Sequence, residues 1–176
     1  MTVGTNEIYF FISYGVALLA CGLIANWYVW PAIAHREPKA ALTPLLLYAC
    51  LRVNGLMFLV PGLVSRDLPE AFARPTAYGD ATAAALSLLA LAALRSGSAL
   101  ALPAVWLFNV EGIADLLYAN FSTFKDQVDP ASLGVAYYLA AVNVPAMSVV
   151  HILIFIYLLQ QPGKFQRQTA PPPTRF

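Results

Sequence analysis

Five long stretches of apolar residues alternate with shorter polar segments along the chain. A helix that crosses a bilayer needs about 20 mostly apolar residues, which four of the stretches reach and the third, slightly shorter, approaches. The pattern therefore predicts an all-α fold, a polytopic membrane protein in which five transmembrane helices form one bundle. The predicted spans are residues 8–34, 43–64, 79–95, 100–121 and 135–159.

Domain organisation follows from the same pattern. Residues 1–160 are predicted to form the five-helix transmembrane domain, and residues 161–176, which are polar and rich in Pro, a disordered tail. Within the domain, residues 65–79 carry mixed charges and two prolines and are predicted to form a loop. Asp80 is expected to open the third helix, because a negative charge suits a helix N-terminus. Pro31 is expected to close or kink the first helix and Pro145 to kink the fifth.

Composition agrees with a membrane protein. Hydrophobic residues make up 60% of the chain and charged residues 11%, whereas soluble domains contain about 25% charged residues. A net charge of +1 gives no reason to expect a nucleic-acid partner. Cys21 and Cys50 lie inside apolar runs and are interpreted as small buried residues, not as a disulfide or metal ligands. His151 is the one His inside a span, so no cofactor and no metal site is predicted.

Basic residues near the span ends predict the orientation, because they are enriched on the cytoplasmic side. One side of the predicted bundle carries six of them and the other side three. The six are Arg36, Lys39, Arg95, Lys164, Arg167 and Arg175, and the three are Arg66, Arg74 and Lys125. We therefore expect an integral protein of the bacterial inner membrane with its N-terminus outside and its C-terminus in the cytoplasm.

The fourth span carries two carboxylates near its middle. Glu111 and Asp115 are four residues apart, so they share one face of an α-helix. A charge at this depth costs roughly 2.5–3.5 kcal/mol on insertion scales, and ionisable residues there are usually functional. The alternative is an ion pair that only pins two helices together. The two carboxylates need a counter-charge, a proton or water.

Arg52, in the middle of the second span, is the predicted counter-charge. It is expected at the depth of Glu111 and within reach of Glu111 or Asp115. Asn143 is expected beside Asp115, whereas His151 either belongs to the site or simply bonds a Tyr, a Ser or the backbone. The predicted ligand-binding residues are Tyr48, Arg52, Asn54, Glu111, Asp115, Asn143 and His151.

One positive charge against two negative charges leaves a surplus carboxylate, which we assign to Asp115. Its own proton, a protonated His151 or a cationic ligand would neutralise it. The leading hypothesis is accordingly a pocket among the second, fourth and fifth helices that binds a small amphipathic, hydrophobic or cationic ligand, with possible coupling to protons.

Two other classes remain open. An accessory subunit of a larger membrane complex, or a self-associating protein, would use its charges to pair with another chain and the small residues Gly15 and Gly22 to dock it. An enzyme acting on a lipid or isoprenoid would use Glu111 or Asp115 as a general acid. No other catalytic signature accompanies them, so no catalytic residue is assigned and membrane lipids are the one general partner expected.

The last span, YYLAAVNVPAMSVVHILIFIYLL, resembles the last span of the emopamil-binding proteins in the spacing of Tyr and Pro. Those proteins have four to five spans, bind sterol-like ligands and carry acidic residues that face a cavity in the membrane. The resemblance is confined to this span, and it transfers no residue role.

Overall fold

The computed structural model describes residues 4–161 and 165 and is 83% helical, with no strand among those residues. It contains five helices that are long and apolar enough to cross a membrane. They are α1 (Thr5–Ile33), α2 (Pro38–Leu59), α3 (Glu70–Arg95), α4 (Ala101–Lys125) and α5 (Ala136–Gln160). The predicted all-α class and the five predicted helices are confirmed. The predicted disordered tail lies outside the described residues, apart from Gln161 and Phe165.

The start of α3 corrects the predicted loop at residues 65–79. The helix begins at Glu70 and runs without a break to Arg95. Its first turns bury Phe72, Ala73, Thr76 and Ala77, at the three- and four-residue spacing of a single helix face. This packing outweighs Pro75, which lies in the second turn. As a result Asp80 lies well inside the helix instead of opening it.

Helix α2 changes its winding halfway. It is α-helical over Pro38–Ala49 and a 3-10 helix over Cys50–Leu59, where the predicted span continued to residue 64. A 3-10 helix has three residues per turn, so every third side chain falls on the same face. The buried residues of this segment are Arg52, Gly55 and Phe58. The tighter winding therefore directs Arg52 and the two residues that follow it on its face toward the core.

Helices α1 and α5, in which Pro31 and Pro145 were expected to disturb the winding, each contain a π-helical turn. The turn covers Ala25–Val29 in α1, just before Pro31, and Leu139–Asn143 in α5, just before Pro145. Pro offers no backbone N–H and crowds the preceding carbonyls, and one extra residue in a turn makes room for this defect. Pro31 consequently does not end α1, which continues to Ile33.

Helix α3 packs along α2 and α4, and α5 packs against α1 and α4. At one end, the α2–α3 loop is tied to the α4–α5 loop by two backbone bonds of 2.9 Å, from Ser65 N to Ser132 O and from Val135 N to Leu63 O. Gly134 has a φ of 55° there, and a Cβ on it would overlap the carbonyl oxygen of Leu63. The loops thus hold the same ends of four helices together.

The bundle has two apolar cores with a polar layer between them. One core contains Leu42, Leu46, Leu94, Phe108 and Ile154, among others. The second contains Phe10, Phe58, Phe72, Ala77 and Ala141, among others. In chain order, Arg52 of α2 and Asp80 of α3 each lie between residues of one core and residues of the other. The polar layer is the candidate functional site.

Candidate functional site

Arg52 is the centre of the polar layer, and only 1% of it is exposed. Its Nε donates to Asp80 Oδ1 on α3 at 2.8 Å, and its Nη2 forms an ion pair with Asp115 Oδ2 on α4. Its Nη1 donates to the backbone oxygen of Gly112 at 3.0 Å and lies 3.3 Å from His151 Nε2 on α5. One guanidinium therefore joins four helices, and every nitrogen of its fork has a partner.

The contacts of His151 determine its tautomer. A guanidinium only donates, so His151 Nε2 accepts from Arg52 and the ring hydrogen lies on Nδ1. Nδ1 then donates to Asn109 Oδ1 at 2.8 Å, and Asn109 Nδ2 donates to the His151 carbonyl oxygen at 3.3 Å. Both residues are fully buried. The neutral imidazole thus extends the network into α5, and its orientation is set by the Arg52 donor at Nε2 and the Asn109 acceptor at Nδ1.

Three glycines make room for the network. A Cβ on Gly55 of α2 would overlap the carboxylate of Asp80 on α3, and a Cβ on Gly79 of α3 would overlap that of Asp115 on α4. A Cβ on Gly112 of α4 would overlap the ring of His151 on α5. Each helix from α2 to α4 therefore offers a glycine on which a polar side chain of the next helix lies.

The layer contains more carboxyl groups than cationic groups. Asp80 and Asp115 share Arg52, and Glu111 adds a third carboxylate one turn before Asp115. Glu111 Oε2 is buried and has no hydrogen-bond partner among the described residues. Within residues 4–161 and 165, no three His, Cys, Asp or Glu side chains are arranged to hold a metal ion.

A cavity of about 260 Å³ adjoins the network. Asp80 and Asp115 form part of its wall, together with the hydroxyl-bearing Thr76. Most of the remaining wall is apolar, and all five helices contribute to it. Its aromatic residues are Phe10, Phe11, Tyr14, Phe58, Phe72 and Phe124.

The predicted pairing of Arg52 with a carboxylate of α4 is confirmed for Asp115, but the preferred partner Glu111 is wrong. Arg52 bonds Asp115 and Asp80 instead. The prediction matched the depths of the backbones, whereas the long Arg side chain spans a helical turn. The sequence argument also placed Asp80 at a helix end, so it did not offer this carboxylate as a partner.

The other predicted residues do not line the cavity. Tyr48 donates to Asn143 Oδ1 at 3.2 Å, so Asn143 is engaged by Tyr48 and not, as expected, by Asp115. Asn54 is exposed and lies on a different face of the 3-10 segment from Arg52. Of the seven predicted ligand-binding residues, Asp115 alone belongs to the wall of this cavity. The cavity draws on all five helices, where the second, fourth and fifth were expected.

Sequence reasoning missed Asp80, Asn109 and Thr76. The signal for Asp80 and Thr76 is the apolar spacing of residues 72, 73, 76 and 77, which extends the third helix back across Pro75. The signal for Asn109 is weaker. It lies three residues before Gly112, so the two share the helix face that meets α5.

The protein is thus a five-helix bundle with a buried Arg–Asp–His network beside an aromatic cavity. The chain belongs to the family described as a domain of unknown function (DUF8737), whose model matches residues 9–159. The match covers all five helices except the first four residues of α1 and the last residue of α5. No curated protein and no solved structure matches the chain.

Proposed function

We propose that this protein is an integral protein of the bacterial inner membrane that binds a small amphipathic cation in the cavity between its helices. The observation that carries the proposal is the pair of carboxylates, Asp80 and Asp115, in the wall of an otherwise largely aromatic and aliphatic cavity. A carboxylate in such surroundings is costly unless a cation compensates it. Arg52 is one cation shared between two carboxylates, and Glu111 adds a third carboxyl group nearby.

The aromatic residues suit the same ligand. Aromatic faces attract cations, by roughly 0.5–2 kcal/mol per contact depending on solvation, and they also pack against the apolar part of an amphipathic molecule. The cavity volume of about 260 Å³ is just below the roughly 300–1,000 Å³ of common ligand pockets. We therefore expect a small ligand, such as an amine with one ring or a short alkyl chain.

Calorimetry on the full chain in lipid nanodiscs tests the proposal. The probes are phenethylammonium and its neutral analogue phenethyl alcohol. The amine is expected to bind at least about tenfold more tightly, because a charge-assisted contact in a site of low polarity exceeds the roughly 1.4 kcal/mol that corresponds to tenfold. Asp115→Asn should weaken the amine selectively.

A matched pair of variants distinguishes binding in the cavity from uptake of the probe by the surrounding lipid. Ala119 lines the cavity one turn after Asp115, so Ala119→Phe should fill the cavity and abolish binding. Leu117 is 66% exposed on the same helix, so Leu117→Phe should leave binding unchanged. Equal binding of amine and alcohol, or undiminished binding by Ala119→Phe, would refute the proposal.

A second candidate is an accessory subunit that pairs with another chain or with itself. It is favoured by the open face of α1, where a Cβ added to Gly15 or Gly22 meets no described atom within 4 Å. Small residues on an open helix face allow close packing between membrane helices. Gly15→Leu should then disrupt an oligomer that native mass spectrometry detects for the wild type. A wild type that is monomeric at all concentrations, and that copurifies with no other chain, excludes this candidate.

A further inference from the structure

We infer that Thr76 determines the specificity of this cavity and selects ligands whose cationic nitrogen carries hydrogens, namely primary or secondary amines and not quaternary ammonium ions. The inference rests on the proposed function, because it specifies the chemical class of the cation. Within the described residues, the Thr76 hydroxyl has no hydrogen-bond partner.

Thr76 is 5% exposed and lines the cavity. Its Oγ1 is buried and has no hydrogen-bond partner among the described residues. Buried hydroxyls nearly always have a partner, so such a group in a cavity wall needs an explanation. A ligand that bonds it would supply the missing partner.

The two other Thr hydroxyls in these helices bond their own backbone. Thr82, also on α3, donates to the carbonyl oxygen of Tyr78 at 2.8 Å. Thr123, on the cavity side of α4, donates to that of Ala119 at 2.9 Å. This local bond, four residues back, is the usual way for a helical Thr to satisfy its hydroxyl. Thr76 does not make it, so its oxygen lacks a partner among the described residues, and rotation about the Cα–Cβ bond would turn it toward the cavity that Thr76 lines.

The position of Thr76 matches an ammonium group. Thr76 lies one helical turn before Asp80, so both belong to the same face of α3, and Asp115 joins them from α4 in the same cavity wall. Two carboxylates and one hydroxyl oxygen are three acceptors, and a primary ammonium has three N–H donors. A quaternary ammonium has no donor, so it would leave Thr76 Oγ1 without a partner. A site that bonds a polar group of its ligand rejects an analogue that lacks it.

The test compares phenethylammonium with its N,N,N-trimethyl derivative by calorimetry on the full chain in nanodiscs. The wild type should prefer the primary amine. Thr76→Val keeps the shape and removes the hydroxyl, and it should weaken the primary amine about tenfold, the effect of one hydrogen bond to a charged group. Binding of the trimethyl derivative should not change. Thr76→Ser keeps the hydroxyl and should bind both probes as the wild type does.

Ser122 provides the matched control. Its Oγ is also buried and without a partner among the described residues, but Ser122 does not line the cavity. Ser122→Ala should therefore leave both affinities unchanged, and thermal unfolding verifies that each variant is folded. Equal affinity of the wild type for the two probes, or equal weakening of both by Thr76→Val, overturns the inference while the proposed function stands. Failure of both probes to bind the wild type overturns both.

Discussion

Arg52 shows how a single residue can organise a membrane-type core. Its fork reaches Asp80, Asp115, the Gly112 carbonyl and His151, so its charge is compensated in every direction in which it donates. Such a group is stable inside only because each partner is in place. The loss of one partner leaves an uncompensated charge in the core, so removing Arg52 alone should be costly.

Arg52→Met should leave two buried carboxylates without their cationic partner. It should lower the free energy of unfolding by about 3–5 kcal/mol, the usual cost of breaking a buried pair. Adding Asp80→Asn and Asp115→Asn to Arg52→Met should recover part of this loss. Thermal or denaturant unfolding in detergent measures both. A triple variant that is no more stable than Arg52→Met would show that the network is not coupled.

The exposed ion pair of Arg74 with Glu70 is the control for that experiment. Both side chains are more than half exposed, at 63% and 71%. Exposed pairs contribute about 0–1 kcal/mol. Arg74→Met should therefore change stability far less than Arg52→Met does.

The glycines under the network lead to a second prediction. Gly79→Ala places a methyl group against the Asp115 carboxylate, so we expect a loss of about 1–3 kcal/mol, as for other overpacked sites. Gly22→Ala on α1 meets open space, and it should be neutral or stabilising by up to about 1 kcal/mol because Ala favours helix more than Gly does. Unfolding in detergent compares the two. Equal effects would contradict the close packing at Gly79.

At the scale of elements, the departures from regular α-helix position the site. The 3-10 winding of Cys50–Leu59 aligns Arg52, Gly55 and Phe58, and the π turn at Leu139–Asn143 allows α5 to continue past Pro145 to His151. The long α3 has the same role, because it brings Asp80 to the middle of the bundle. Each departure brings one residue into the site. Regular helices with the predicted ends would place these residues elsewhere.

The length of α3 gives a third prediction. Tyr78 lies about 12 Å along this helix from Glu70 at 1.5 Å per residue, whereas Arg66 lies in the preceding loop. In a background without Cys21 and Cys50, Arg66→Cys in nanodiscs should react rapidly with a charged maleimide, and Tyr78→Cys slowly. Mass spectrometry over time follows the labelling. Equal rates would support the loop over residues 65–79 instead.

At the scale of the whole molecule, five helices that each cross the membrane would put the two ends of the bundle on opposite sides. The basic residues are distributed six to three between the two predicted sides. The end that joins the α2–α3 and α4–α5 loops is the side with three, which we expect to face outward. The aromatic cavity includes Phe10 near the start of α1, so it lies in the outward half of the bundle under this orientation.

The fourth prediction concerns this orientation. Green fluorescent protein fused after Phe176 should fluoresce, because it folds in the cytoplasm, and alkaline phosphatase at the same position should be inactive. The same reporters inserted after Arg66 should give the opposite result. An active phosphatase after Phe176 would reverse the predicted topology.

From the sequence alone we could predict the all-α class, the number of helices and, to within one residue, five of their ten ends, because an apolar run of sufficient length has few alternatives to a helix. The sequence also predicted that Arg52 pairs with a carboxylate of the fourth helix, since a charge in such a run needs a counter-charge, but it preferred Glu111 to Asp115. The packing of the helices was needed to show that Asp80 is the second partner and that Thr76 lines the cavity. Packing of Phe72 and Ala77 against neighbouring helices extends α3 across Pro75 and Gly79, two residues that in local terms indicate a loop. The contacts of the network likewise depend on glycines of three different helices, and no spacing along one chain reveals which helices will meet.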